Sequence, residues 1–100
     1  MSWEAVFDGL VIFKENTPLG VIDDFKGFIE DSGLSYTFES RSGCYRISFS
    51  ELQWFSHIDP HDFFNGIREF EDHILAADVD IYDLSQPAFS LRLGRKKEEE

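Results

Sequence analysis

The chain has 100 residues, with twenty Asp and Glu against nine Lys and Arg, for a net charge of −11 at neutral pH. Hydrophobic residues make up 42% of it and eleven of its residues are Phe, enough apolar side chain for one core without metal or disulfide support. The anionic balance excludes recognition of DNA or RNA through phosphate contacts, and the lone Cys44 excludes an internal disulfide.

The opening stretch SWEAVFDGLVIFKEN is rich in β-branched and aromatic residues and predicts strand. Asp8-Gly9 within it is either a two-residue hairpin turn between 3–7 and 10–14 or a bulge in one long strand, and the bulged strand is preferred. Thr17 as N-cap and Pro18 in the first turn predict a helix start. Val21, Ile22, Phe25, Phe28 and Ile29 then fall on one helical stripe, with Asp23, Asp24, Lys26, Glu30 and Asp31 opposite, and Ser32-Gly33 closes the helix.

Leu34, Tyr36 and Phe38 alternate with polar residues, as do Tyr45, Ile47 and Phe49 after Arg41-Ser42-Gly43, which predicts a β-hairpin with one wet face. A change of phase at Leu52, Trp54 and Phe55 suggests a bulge near Glu51. Asp59 as N-cap and Pro60 at the first helical position open a second helix, whose buried stripe is Phe63, Phe64, Ile67, Phe70 and Ile74 with Leu75 beside it. After Ala76-Ala77-Asp78, Val79 and Ile81 predict a strand, and Phe89, Leu91 and Leu93 another. Residues 95–100, RKKEEE, predict a disordered charged tail after a single domain of residues 1–94.

The resulting order is β, α, β, β, α, β with extra strand material at the ends. It predicts an α+β domain in which two amphipathic helices cover one face of an antiparallel sheet, in the ferredoxin-like βαββαβ order with an additional edge strand. The longest apolar run, residues 10–13, is far shorter than the roughly 18 residues of a membrane helix, and no export signal is recognisable. A soluble cytoplasmic protein with no membrane partner is expected.

Charge is unevenly placed. Residues 1–33 carry −5, residues 34–58 carry zero and residues 59–83 carry −7, so the acids concentrate on the two helices and the strand after them. The residues expected to meet a partner are therefore Asp23, Asp24, Glu30 and Asp31, with Glu69, Glu71, Asp72 and Asp80.

Catalytic chemistry is harder to find. His57, Asp59, His61 and Asp62 lie within six residues of one another, but this is also the composition of a helix N-terminus. On a continuous helix, His61 and His73 would stand about 18 Å apart. Cys44 has no orienting partner at a recognisable offset, and there is no phosphate-binding glycine loop. No enzyme, metal site or cofactor is expected. Tyr36, Phe38, Tyr45 and Phe49 are expected to face the helices, which leaves no exposed aromatic row for RNA. Trp3 and Trp54 are either core residues or anchors for a protein partner.

From Gly43 to Gly94, the strand CYRISFSELQWF, the helix FFNGIREFEDHIL, the acidic strand ADVDIYDLS and the segment PAFSLRLG together resemble the WapI-type immunity proteins. The resemblance implies a protein that neutralises a toxin by binding it and has no catalytic residues. The expected role is thus an inhibitor of a basic partner protein, as an immunity protein, an antitoxin, or a phage anti-defence protein mimicking nucleic acid. The alternative is a homodimer or assembly protein whose acids only solubilise it.

Overall fold

Ala5, Phe7, Gly9, Val11 and Phe13 are buried, while Asp8 between them is exposed, so the first strand obeys a period of two along its whole length. In the computed structural model, which describes residues 4–41, 43–54, 59–82 and 89–94, this strand is β1 (Glu4–Phe13). It is followed by α1 (Leu19–Asp31), β2 (Thr37–Arg41), β3 (Cys44–Trp54), α2 (Pro60–Arg68), a 3-10 turn (Glu71–His73), β4 (Ile74–Tyr82) and β5 (Phe89–Leu93). The strands form one sheet in the order β2-β3-β1-β4-β5, with every neighbouring pair antiparallel. The fold is α+β, and β1 is its central strand. Trp3, Phe55, His57, Asp83, the 95–100 tail and the side chain of Trp54 lie outside the described residues.

Both helices pack on the odd-numbered face of β1. Phe7 meets Phe63 of α2 edge to face at 5.5 Å, and Phe13 meets Phe25 of α1 at 5.2 Å. The helices touch each other where Phe28 stacks on Phe63 at 5.4 Å. Gly66 permits this approach, because a Cβ there would lie 2.3 Å from the Phe28 ring. Phe7, Phe13, Phe25 and Phe63 are fully buried, each removing apolar surface worth about 2–3 kcal/mol. No helix among the described residues is long and apolar enough to cross a membrane.

Local signals explain several boundaries. The Asp59 carboxylate accepts from the His61 and Asp62 N–H groups at 2.8 and 3.3 Å, capping α2 ahead of Pro60 as expected. After α1, Gly33 adopts φ +80° and donates to the Glu30 carbonyl, while Leu34 donates to Ile29. Gly43 takes φ +81° in the tight link between β2 and β3.

Other expectations are corrected. There is neither a turn nor a bulge at Asp8-Gly9, since Gly9 pairs in register with both Phe49 and Val79. Glycine serves there because the Phe49 ring lies over it, where a Cβ would come within 2.5 Å. No bulge occurs near Glu51 either, since β1 and β3 pair without a shift and Leu52 is 57% exposed on the open face.

The bulge lies instead in β4. Pairing steps from Ile12↔Ala76 to Phe13↔Ile74, leaving Leu75 as the extra, exposed residue. Both Ile74 and Ala77 thereby reach the core, three positions apart, a spacing that imitates a helix. Helix α2 stops at Arg68, before Glu69, Glu71 and Asp72, whose charges oppose the negative end of the helix dipole. Phe70 turns back onto Phe25 at 5.0 Å.

Thr17 is not the cap of α1, a position held by Pro18. Its buried hydroxyl donates to the Lys14 carbonyl at 2.6 Å, and the Lys14 N–H donates to His73 at 2.8 Å, tying the end of β1 to the 3-10 turn. The strand β2 begins at Thr37 rather than Leu34.

Candidate functional site

The sandwich has two unlike surfaces. On the helix side, Asp23, Asp24, Glu30 and Asp31 are exposed along α1, and Glu69, Glu71 and Asp72 are exposed at the end of α2 and in the 3-10 turn. The sequence therefore placed seven of the eight expected residues in one layer. Asp80 is the correction: it belongs to β4 with its side chain on the opposite face, because Val79 and Ile81 occupy the buried positions beside it.

None of the seven helix-layer acids forms an ion pair among the described residues. The three ion pairs found there, Arg46–Glu39, Arg92–Asp78 and Arg92–Asp80, are all on the sheet. Lys26 of α1 places its Nζ 3.7 Å from the Phe38 ring centroid. Glu30 accepts a hydrogen bond from the Tyr36 hydroxyl at 3.1 Å. Desolvation, that hydrogen bond and the charges of Glu30 and Asp23 raise the Tyr36 pKa above its ordinary value.

Among the described residues no helix covers the other face of the sheet, and its side chains fall into rows set by the strand register. One row is apolar, Leu52–Val6–Tyr82, with Leu52 and Tyr82 57% and 42% exposed. The next is polar, Ser50–Asp8–Asp80–Ser90. The third is mixed, Thr37–Ser48–Leu10–Asp78–Arg92. This face holds a depression of about 680 Å³ that reaches from Asp8, Asp78 and Asp80 to Ser48, Ser50 and Tyr36.

The electrostatics of the polar row are lopsided. The Ser90 hydroxyl donates to Asp80 Oδ1 at 2.7 Å and Arg92 Nη2 approaches the same oxygen at 3.0 Å. The Ser90 hydrogen bond first, and then Arg92, hold the Asp80 carboxyl below its usual range against the opposing effect of burial. Directly opposite Asp80 stands Asp8, which has no cation partner among the described residues. Facing carboxylates on neighbouring strands repel.

Cys44 is half-buried at the start of β3 opposite Arg41, and His61 packs edge-on against Phe89 at 5.9 Å. Among the described residues no group of three His, Cys, Asp or Glu is placed to hold a metal ion. Phe38 and Tyr45 stack at 5.8 Å on the helix side and Phe49 meets Phe63, as the alternation in the hairpin predicts. Compared with family models, with curated proteins and with solved structures, the chain matches none.

Asp8, Ser50 and the apolar row Leu52–Val6–Tyr82 were not expected as site residues. Their signal was the even-numbered half of the first strand, which alternates polar and apolar residues that the core does not need.

Proposed function

We propose that this chain is a non-enzymatic binding module whose acidic helix layer docks on a basic partner protein and inhibits it, the role that the resemblance to WapI-type immunity proteins implies. The observation that carries this is the run of seven exposed helix-layer acids that form no ion pair among the described residues, while Arg46 and Arg92 of the sheet pair with acids of the sheet itself. Unpaired rim charge accelerates encounter with an oppositely charged protein and makes affinity fall with salt.

A pull-down from the native cell at low and high salt identifies the partner. The Glu69→Gln/Glu71→Gln/Asp72→Asn variant is then measured against it. Slower association with unchanged stability is expected, and an unaltered association rate would sink the proposal.

We also read the domain as ferredoxin-like with β5 as an extra edge strand. Support comes from the sheet order, which without β5 is β4-β1-β3-β2, all antiparallel. The apolar Leu52–Val6–Tyr82 row favours a second reading, self-association through the open sheet face. A dimer that persists at high salt in sedimentation would support it over the first.

A further inference from the structure

The open face of the sheet carries features that the acidic helix layer does not explain. Asp8 faces Asp80 across β1 and β4, with Cβ atoms of such directly opposed residues about 5 Å apart. Asp80 is steadied by Ser90 and Arg92, whereas Asp8 has only Ser50 beside it on the β3 side. The unrelieved charge stands inside a concavity of about 680 Å³ rather than on a convex rim. One row away lies the apolar line Leu52–Val6–Tyr82, with Leu52 and Tyr82 exposed and Val6 half-buried between them.

We propose that this concave face is a second docking site, for an extended protein segment that inserts an Arg or Lys side chain between Asp8 and Asp80 and lays a flanking aliphatic residue on Leu52, Val6 and Tyr82. Charge complementarity selects this occupant. A guest cation meets the Asp8 carboxylate, the far side of Asp80 and the Ser50 hydroxyl, so it relieves the repulsion that the free protein carries.

A second copy of the chain fits less well. Arg46, the cation lining the concavity, pairs with Glu39, and Arg92 on the neighbouring strand pairs with Asp78 and Asp80. Two concave faces set against each other also leave their centres apart, without the close packing of a stable interface. The site is independent of the helix layer, so either surface can fail without the other.

Random nine-residue peptides displayed on phage are panned against the full chain, and the strongest binder is synthesised with its basic residue intact and with citrulline or norleucine in its place. The expected peptides carry Arg or Lys next to Val, Leu or Ile. Neutralising that residue, or substituting Asp8→Asn in the protein, weakens binding about tenfold or more. Asp8→Asn removes a repulsion at an exposed position, so the variant stays folded and its melting temperature, measured alongside, does not fall.

Glu69→Gln/Glu71→Gln/Asp72→Asn leaves the peptide affinity unchanged, which separates this site from the helix layer. Peptides without basic enrichment, or affinity indifferent to Asp8→Asn, would overturn the proposal. So would a dimer in sedimentation that Leu52→Ser dissolves and that the peptide does not displace.

Discussion

At position 8 a carboxylate stands across the β1–β4 pair from another carboxylate, at the middle of the sheet's central strand. Like charges in directly opposed positions destabilise a sheet by roughly 0.2–1 kcal/mol. Asp8→Asn is therefore expected to stabilise the domain by about 0.5 kcal/mol, read as a rise of a few degrees in thermal unfolding, with the gain shrinking as salt is added. A lower melting temperature would show that Asp8 has a favourable role in the fold itself.

Its neighbour behaves in the opposite sense. The Asp80 carboxyl is held below its ordinary pKa in the folded chain, so it takes up a proton less readily folded than unfolded. Its contribution to stability is present above the unfolded value near pH 4 and fades as the pH falls through the lower folded value. Ser90→Ala removes the first of its supports and should lower stability at neutral pH by at most about 1 kcal/mol. The difference from wild type should close in the acid limb of a pH titration of stability. A gap that stays constant with pH would mean that Ser90 acts by packing alone.

Among the elements, α2 is shorter than its apolar spacing suggests, and the cause lies in β4. Ile67, Phe70, Ile74 and Ala77 keep three- and four-residue spacings, which a helix produces by its turn and β4 produces by a bulge at Leu75. The start of α2 was legible because capping is written locally in Asp59 and Pro60. Its end was not, because no glycine or proline marks it and the acids after Arg68 look like a wet helix face. The strand β1 was legible for a similar reason of locality, whereas Gly9 was not, since its partner Phe49 is forty residues away.

Deleting Leu75 should remove the bulge, leave Ile74 opposite Phe13 in regular alternation and preserve cooperative unfolding, and Leu75→Ser, at the same exposed position, should cost little; a shift of Ile74 to solvent on deletion would show that the bulge is needed for the register. Gly66→Ala drives a methyl into the Phe28 ring and should cost about 1–3 kcal/mol in denaturant unfolding. Combined with Phe28→Ala, the Gly66 penalty should largely vanish. Full additivity would place the strain elsewhere.

For the whole molecule, the division into an acidic helix layer and a sheet face of mixed charge follows from the packing of both helices on one side. Charge counted along the chain located most of the acids but not the face each would occupy. Asp80 shows why: it shares a stretch of sequence with Glu71 and Asp72, yet strand alternation turns it away from them. The depression left no trace in the sequence, because its lining is gathered from β1, β2, β3 and β4.

The place of β1 at the centre of the sheet also bears on how the protein is made. It is made before both of its partners, with Val6 pairing to Leu52 on one side and to Tyr82 on the other. Such distant pairings slow folding, since long loops must close before the sheet is rewarded. Until β4 has left the ribosome, one edge of an apolar strand, VFDGLVIF, has no native neighbour and is open to foreign strands. The nascent chain is thus open to aggregation at both edges of β1 until β3 emerges and at one edge until Tyr82 does, and a chaperone would be useful to it throughout that interval.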